Sequence, residues 1–256
     1  MASIIDVRHV NKAFGGLKVI NDCSIQVEKG SITGLIGPNG AGKSTLFNII
    51  AGALPLDSGQ ILLDGEDITN CPANELFHKG LLRTFQIAHE FCHMTALENL
   101  MMVPPRQAGE SLFDAWLKPG SVARQEAEVR RRALEVIDFI GLYHVRNELA
   151  GNLSGGQKKL LELGRTMMTD ARVVLLDEIA AGVNRTLLGD LVGNIERLNR
   201  EFGYTFLVIE HDMDMIARLC DPVIVLAQGS VMVEGSIEEI QNDPQVIEAY
   251  FGSNAA

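Results

Sequence analysis

Residues 37–45 read Gly-Pro-Asn-Gly-Ala-Gly-Lys-Ser-Thr and fit G-x-x-x-x-G-K-[ST], a phosphate-binding loop. This stretch constrains the chain more than any other. Gly37, Gly40 and Gly42 allow a tight turn, and with Pro38, Asn39 and Ala41 between them the backbone N–H groups face one anion. Lys43 brings a point charge for the outer phosphates, the Ser44 hydroxyl suits Mg²⁺, and Thr45 can back it up. Residues 31–36 read as a buried strand. Leu46, Phe47, Ile49 and Ile50 give the apolar face of a helix ending at Gly52. A strand, a glycine loop and a helix N-terminus in that order make an anion site.

Composition narrows the class. The chain has 256 residues, 46% of them hydrophobic, which supports a sizeable core. A formal net charge of −11 argues against DNA as the main partner and against binding anionic lipid by bulk charge. No apolar run approaches the roughly 18 residues of a spanning helix, and the first residues lack a secretory pattern. Cys23, Cys71, Cys92 and Cys220 are scattered, which suggests reduced thiols in a cytosolic setting.

The remaining signals follow along the chain. Residues 3–10, 24–27, 31–36 and 60–63 read as strands of an early antiparallel part. Phe14 reads as a loop residue before Gly15-Gly16, suited to stacking on a base or to filling a core. Residues 81–86 look like a strand ending at Gln86. Thr95 and Glu98 form a capping box opening a helix through about Met102. Trp116 stands beside Leu112, Phe113 and Leu117, either a local core or a docking patch. A long helix is expected from Ser121 to Gly141, with Ala133, Leu134, Ile137 and Ile140 inward and Glu126/Arg130 and Glu128/Arg132 as i,i+4 pairs. Residues 87–170 therefore read as a helical subdomain, between 1–86 and 171–256 as the core.

Ser154, Gly155, Gly156 and Gln157 belong to Leu-Ser-Gly-Gly-Gln at 153–157. They have capping-box spacing and also offer a second anion-binding helix N-terminus. Residues 172–178 run Arg-Val-Val-Leu-Leu-Asp-Glu, a buried strand delivering two carboxylates to a sheet edge. There Asp177 can hold Mg²⁺ and Glu178 can polarise a water. Residues 205–209 form the next buried strand, with His211 just past its end, in reach of a γ-phosphate. Strands at 223–227 and 231–234, a capping box at Ser236 and Glu239 and a last helix complete the chain.

Taken in order, Phe14, residues 37–45, Gln86, residues 153–157, Asp177-Glu178, residues 180–184 and His211 resemble the ATP-binding subunit of ABC transporters over essentially the whole chain. Arg83-Thr84-Phe85-Gln86, Ala180-Ala181-Gly182-Val183-Asn184, Ile209-Glu210-His211-Asp212-Met213 and Ala249-Tyr250-Phe251-Gly252 resemble its branched-chain amino acid importer branch. The resemblance implies an α/β fold with a mixed sheet, a small antiparallel part and a helical subdomain. It implies ATP and Mg²⁺, adenine stacking by Phe14, Gln86 as sensor of Mg²⁺ and water, Glu178 as catalytic carboxylate and His211 as γ-phosphate contact. Residues 154–157 would act on nucleotide held by a second ATPase subunit. Separate permease subunits, and through them a solute-binding protein, would be partners, with the chain peripheral on the cytoplasmic side of the plasma membrane. One departure stands out: Ile179 replaces the family's usual Pro after the catalytic Glu, leaving φ free there. The alternatives are an exporter ATPase, for example of lipid, and a non-transport ABC ATPase.

Overall fold

The computed structural model describes residues 2–84, 90–105, 107, 116 and 119–251. Gln86, Leu112, Phe113 and Leu117 lie outside the described residues. The chain divides into two compact units: Met1–Arg83, Ala171–Ala180 and Glu196–Ala256 form the first, Thr84–Asp170 and Ala181–Ile195 the second.

The first unit opens with a hairpin, β1 (Ser3–Phe14) and β2 (Leu17–Glu28), each 12 residues long. Both strands are longer than their alternation predicts. Register shifts between Val7, Val10, Lys12 and Ala13 break the period of two, and His9 and Asp22 both stand at φ 50°. Phe14 is thus the last residue of β1, paired with Leu17 across the turn, rather than a loop residue. β3 (Ile32–Ile36) follows, then α1 (Lys43–Ile50), β4 (Ser58–Leu63), β5 (Glu66–Asp67), α2 (Ala73–His78) and β6 (Leu81–Arg83). β6 stops at Arg83, short of the expected Gln86. β2-β1-β4-β5 form a four-stranded antiparallel sheet.

The second unit contributes α3 (Ala96–Met101), α4 (Pro119–Phe139) and α5 (Gly155–Met167). The Thr95 and Glu98 capping box closes as the spacing predicts. Val136 is buried with Ala133, Ile137 and Ile140, while Leu134 is only half-buried. Gly164 of α5 lets the helices approach: a Cβ there would lie 2.8 Å from Ile140 Cδ1 and 3.3 Å from Leu100 and Val136. The ion pairs on α4 run through Arg131, to Glu128 and Glu135, rather than between Glu128 and Arg132. Arg132 donates instead to the Met167 and Thr169 carbonyls at 2.6 and 3.1 Å, satisfying acceptors freed at the end of α5.

The chain returns to the first unit as β7 (Val173–Asp177); α6 (Arg185–Phe202) starts in the second unit and ends in the first, which then takes β8 (Thr205–Ile209), α7 (Met213–Leu219), β9 (Val223–Ala227), β10 (Ser230–Gly235), α8 (Ile237–Asn242) and α9 (Pro244–Phe251). The second sheet has the order β10-β9-β3-β8-β7-β6, parallel except for β10. β3 lies here, parallel to β8 and β9, and not in the antiparallel part expected for residues 31–36, because its five residues are all buried and lack the alternation of a one-face-wet strand. Every residue of β3, β7 and β8 is buried, as parallel strands covered on both faces require. Full burial of each large apolar side chain is worth roughly 1.5–3 kcal/mol. The C-terminal ends of these three adjacent strands open on one edge, where ligands of such sheets bind.

Candidate functional site

Three loops leave that edge. The first, residues 37–42, follows β3. A Cβ at Gly37 would sit 2.0 Å from the Leu226 carbonyl oxygen, and one at Gly42 would sit 2.7 Å from Ile20 Cδ1. Only glycine lets the loop lie this close to its neighbours. Gly42 is the N-cap of α1 and no side chain caps it, so the first N–H groups of the helix are left for an anion. Lys43 is 7% exposed, and its Nζ donates to the Gly37 and Pro38 carbonyls at 2.7 and 3.1 Å. Burial pushes its pKa below 10.5, and the Glu178 charge opposes that shift. Ser44 is exposed and Thr45 half-buried.

The second loop follows β7. Asp177 is buried, and its Oδ2 accepts from Arg83 Nη2 at 2.7 Å. The same guanidinium also bonds Asn48 of α1. Arg83 thus ties the first helix to the acidic strand end, a role the sequence reading did not assign. Glu178 stands in a left-handed conformation, φ 48°.

The third follows β8. His211 Nε2 lies 3.0 Å from Glu178 Oε1, so the two residues expected to act on the terminal phosphate meet side chain to side chain. A cleft of about 970 Å³ adjoins His211, lined also by Gly37, Asn39, Gln245, Glu248 and Tyr250 among others. Burial pushes the Tyr250 phenol above 10.0, opposed by a bond from the Gly37 N–H.

Phe14 lies at the end of β1, 50% exposed. Lys12 Nζ sits 5.6 Å from its ring centroid and is paired with Asp57 at 2.7 Å. Asp57 also accepts from the Ala13 N–H at 2.7 Å. A half-exposed ring is not a core residue, and the strand that carries it is held by Asp57, which sequence reasoning missed. Its spacing of 44 residues from Ala13 leaves no local signal.

Among the described residues no group of three or more His, Cys, Asp or Glu side chains is arranged to hold a metal. The donors present, an exposed Ser44 hydroxyl and the Asp177 carboxylate, suit Mg²⁺. That ion takes few protein ligands and completes its shell with phosphate oxygens and water.

In the second unit, Ser154 caps α5. Its Oγ accepts from the Gln157 N–H at 3.4 Å, and Gln157 Oε1 accepts from the Ser154 N–H at 2.9 Å. Gly156 packs on Leu187, where a Cβ would come within 2.6 Å of Cδ1. Asn184 opens α6, its Oδ1 accepting from the Leu187 N–H at 3.0 Å.

Residues 20–181 match the family described as ABC transporter. The chain belongs to the ABC transporter family, as an ATP-binding cassette. It is an ATPase coupled to transport. Residues 230–256 match a second family, described as branched-chain amino acid ATP-binding cassette transporter. The cassette is 41% identical over 254 residues to a probable branched-chain amino acid transport ATP-binding protein, LivG, of Archaeoglobus fulgidus, covering 98% of this chain and 96% of that one. The crystal structure of the ADP conformation of MJ1267, an ATP-binding cassette of an ABC transporter, superposes with a TM-score of 0.83 at 36% identity, covering 98% of this chain and all of that one. A more distant cassette, MJ0796, shares the fold with a TM-score of 0.74 at 24% identity, covering 91% of this chain and 98% of that one. Its structure is described as dimeric, in a post-hydrolysis state with ADP and phosphate.

Proposed function

We propose that the cassette hydrolyses ATP to drive uptake of a small solute of the branched-chain amino acid class through separate permease subunits. The observation that carries this is the convergence of loop 37–45, Asp177-Glu178 and His211 at the ends of three adjacent strands, β3, β7 and β8.

The chemistry follows from the parts. Loop N–H groups within residues 39–45 hold the β- and γ-phosphates, with Gly37 and Pro38 shaping the turn, and Lys43 exchanges its carbonyl partners for phosphate oxygens. Phe14 stacks on the adenine, leaving Lys12 on the other face of the ring. Mg²⁺, when bound by Ser44, the phosphates and Asp177 through water, supplies charge neutralisation. Glu178 orients and polarises the attacking water, and His211 holds the Glu178 carboxylate and reaches the γ-phosphate. Gln86 is the sensor of water and metal in this reading. Ser154, Gly155, Gly156 and Gln157 complete the site of a second cassette, because Gly155 and Gly156 leave N–H groups that the Ser154 and Gln157 side chains do not cap. A Met-lined groove in the second unit, with Met94, Met101, Met102 and the carboxylates of Glu98 and Glu126, offers adaptable packing for a permease helix. Trp116, 90% exposed, is available to the same partner. Among the described residues no helix is long and apolar enough to cross a membrane, and we place the cassette peripherally on the cytoplasmic face.

The test is Glu178→Gln. ATP affinity is retained, turnover falls roughly 10²–10⁴-fold, and ATP-dependent dimers accumulate on size exclusion. Near-normal turnover overturns the assignment. The shared site is read by an ATP-dependent disulfide between Asn39→Cys in one chain and Gly155→Cys in another, with Cys71 and Cys92 replaced. Gly155 is the better position, since Leu187 closes off Gly156. Co-purified permeases, screened for solutes that stimulate ATPase, identify the cargo.

A further inference from the structure

The left-handed backbone at Glu178, φ 48°, is strained for a residue with a side chain, and such strain persists only where the surroundings over-determine it. Two bonds fix it, one on each side. Upstream, the Glu178 N–H donates to the Ile209 carbonyl at 3.0 Å. Downstream, the Ala180 N–H donates to Glu210 Oε1 at 2.7 Å. The other carboxylate oxygen, Oε2, accepts from the His211 N–H at 3.2 Å. One carboxylate therefore grips the backbone just after Glu178 and the backbone of His211 itself. Pro would fix φ at position 179, and Ile179 does not. The anchor after the strained residue comes from the neighbouring strand instead.

We infer that Glu210 is a positioning residue for hydrolysis, holding Glu178 in its left-handed conformation and His211 within 3.0 Å of it. The inference rests on the roles proposed for Glu178 and His211. Glu210 is 4% exposed, so it serves no purpose as a surface charge. Burial pushes its carboxyl above 4.5, aided by the Glu178 charge and opposed by the two backbone bonds. A buried carboxyl at this position is costly unless those bonds are made.

The experiment is Glu210→Gln in the full-length cassette. Glutamine keeps the shape but turns an amide N–H₂ against one of the two backbone donors. The expected result is a kcat about tenfold lower, the scale of one lost charge-assisted bond. ATP affinity stays unchanged by calorimetry. In the Glu178→Gln background, Glu210→Gln adds no further loss in single-turnover rate, because both act through the same carboxylate. Three results overturn the inference: wild-type kcat, ATP affinity weakened by the same factor as kcat, or losses that multiply in the double variant. If Glu210→Gln does not fold, Glu210→Asp replaces it. Its shortened carboxylate lowers kcat at unchanged ATP affinity, and wild-type kcat refutes the role. Wild-type turnover in Glu178→Gln alone overturns the catalytic reading, and this inference with it.

Discussion

Truncating Phe14 separates binding from packing. The ring ends β1 and is 50% exposed, opposite Leu17, which is 67% exposed. Complete burial of a phenylalanine is worth roughly 1.5–3 kcal/mol, so the half-covered ring contributes about 1 kcal/mol to stability. For a chain of this size, that lowers Tm by about 2–4 °C in Phe14→Ala. A core residue such as Phe47, 0% exposed, would cost about 3–5 kcal/mol. The binding effect points the other way. Base stacking on an aromatic ring is worth about 1–3 kcal/mol, so ATP Kd should rise roughly 5- to 150-fold. Phe14→Tyr keeps the stacking face and changes little. The assay is calorimetry in the Glu178→Gln background, with inorganic tripolyphosphate as a ligand that has phosphates and no base. Its affinity should be the same in wild type and Phe14→Ala. Unchanged ATP affinity with a Tm lowered by many degrees would refute the stacking role. Equal weakening of ATP and tripolyphosphate would place the effect in the phosphate loop instead.

Three further outcomes test the site. Burial lowers the Lys43 pKa in the free cassette and bound phosphates raise it again, so ATP binding takes up a proton on the alkaline side and affinity falls as pH rises toward 10.5; calorimetry in buffers of different ionisation enthalpy reads this, and pH-independent affinity in that range contradicts it. Gly37→Ala, with its Cβ 2.0 Å from the Leu226 carbonyl, displaces the loop and weakens ATP binding by at least about tenfold. Gly16→Ala, with no atom within 4 Å, leaves binding alone. Buried Cys23 and Cys220, with thiols pushed up to about 12, resist alkylation at neutral pH until the chain unfolds, while exposed Cys92 reacts; mass spectrometry of native and denatured samples decides.

Much of this was legible locally. Loop 37–45 announces itself because glycine freedom, a lysine and a hydroxyl lie within nine consecutive residues. The capping boxes at Thr95, Ser154 and Ser236 formed as their spacing predicts, since a cap involves only residues three apart. The buried strands before Gly37, Asp177 and Glu210 were visible as short apolar runs. The ion pairs on α4 were less so: Glu128 and Arg132 have the right spacing, yet Arg131 takes Glu128 and Arg132 turns to the end of α5, because freed carbonyls compete with surface carboxylates.

The sequence by itself determined the class of chemistry: a phosphate loop, an acidic strand end and a histidine, in an order resembling an ATP-binding cassette. Tertiary structure decided who touches whom. β8 lies between β3 and β7 although it follows both in the chain, and no periodicity predicts that order. This order brings His211 to Glu178 across 33 residues and Glu210 to Ala180 across 30, and the pairing of β6 with β7 brings Arg83 to Asp177 across 94. Local patterns record which groups a segment offers. Partners so distant in sequence meet only when the sheet is assembled, because strand order is set by the burial of whole elements rather than by the residues at their ends.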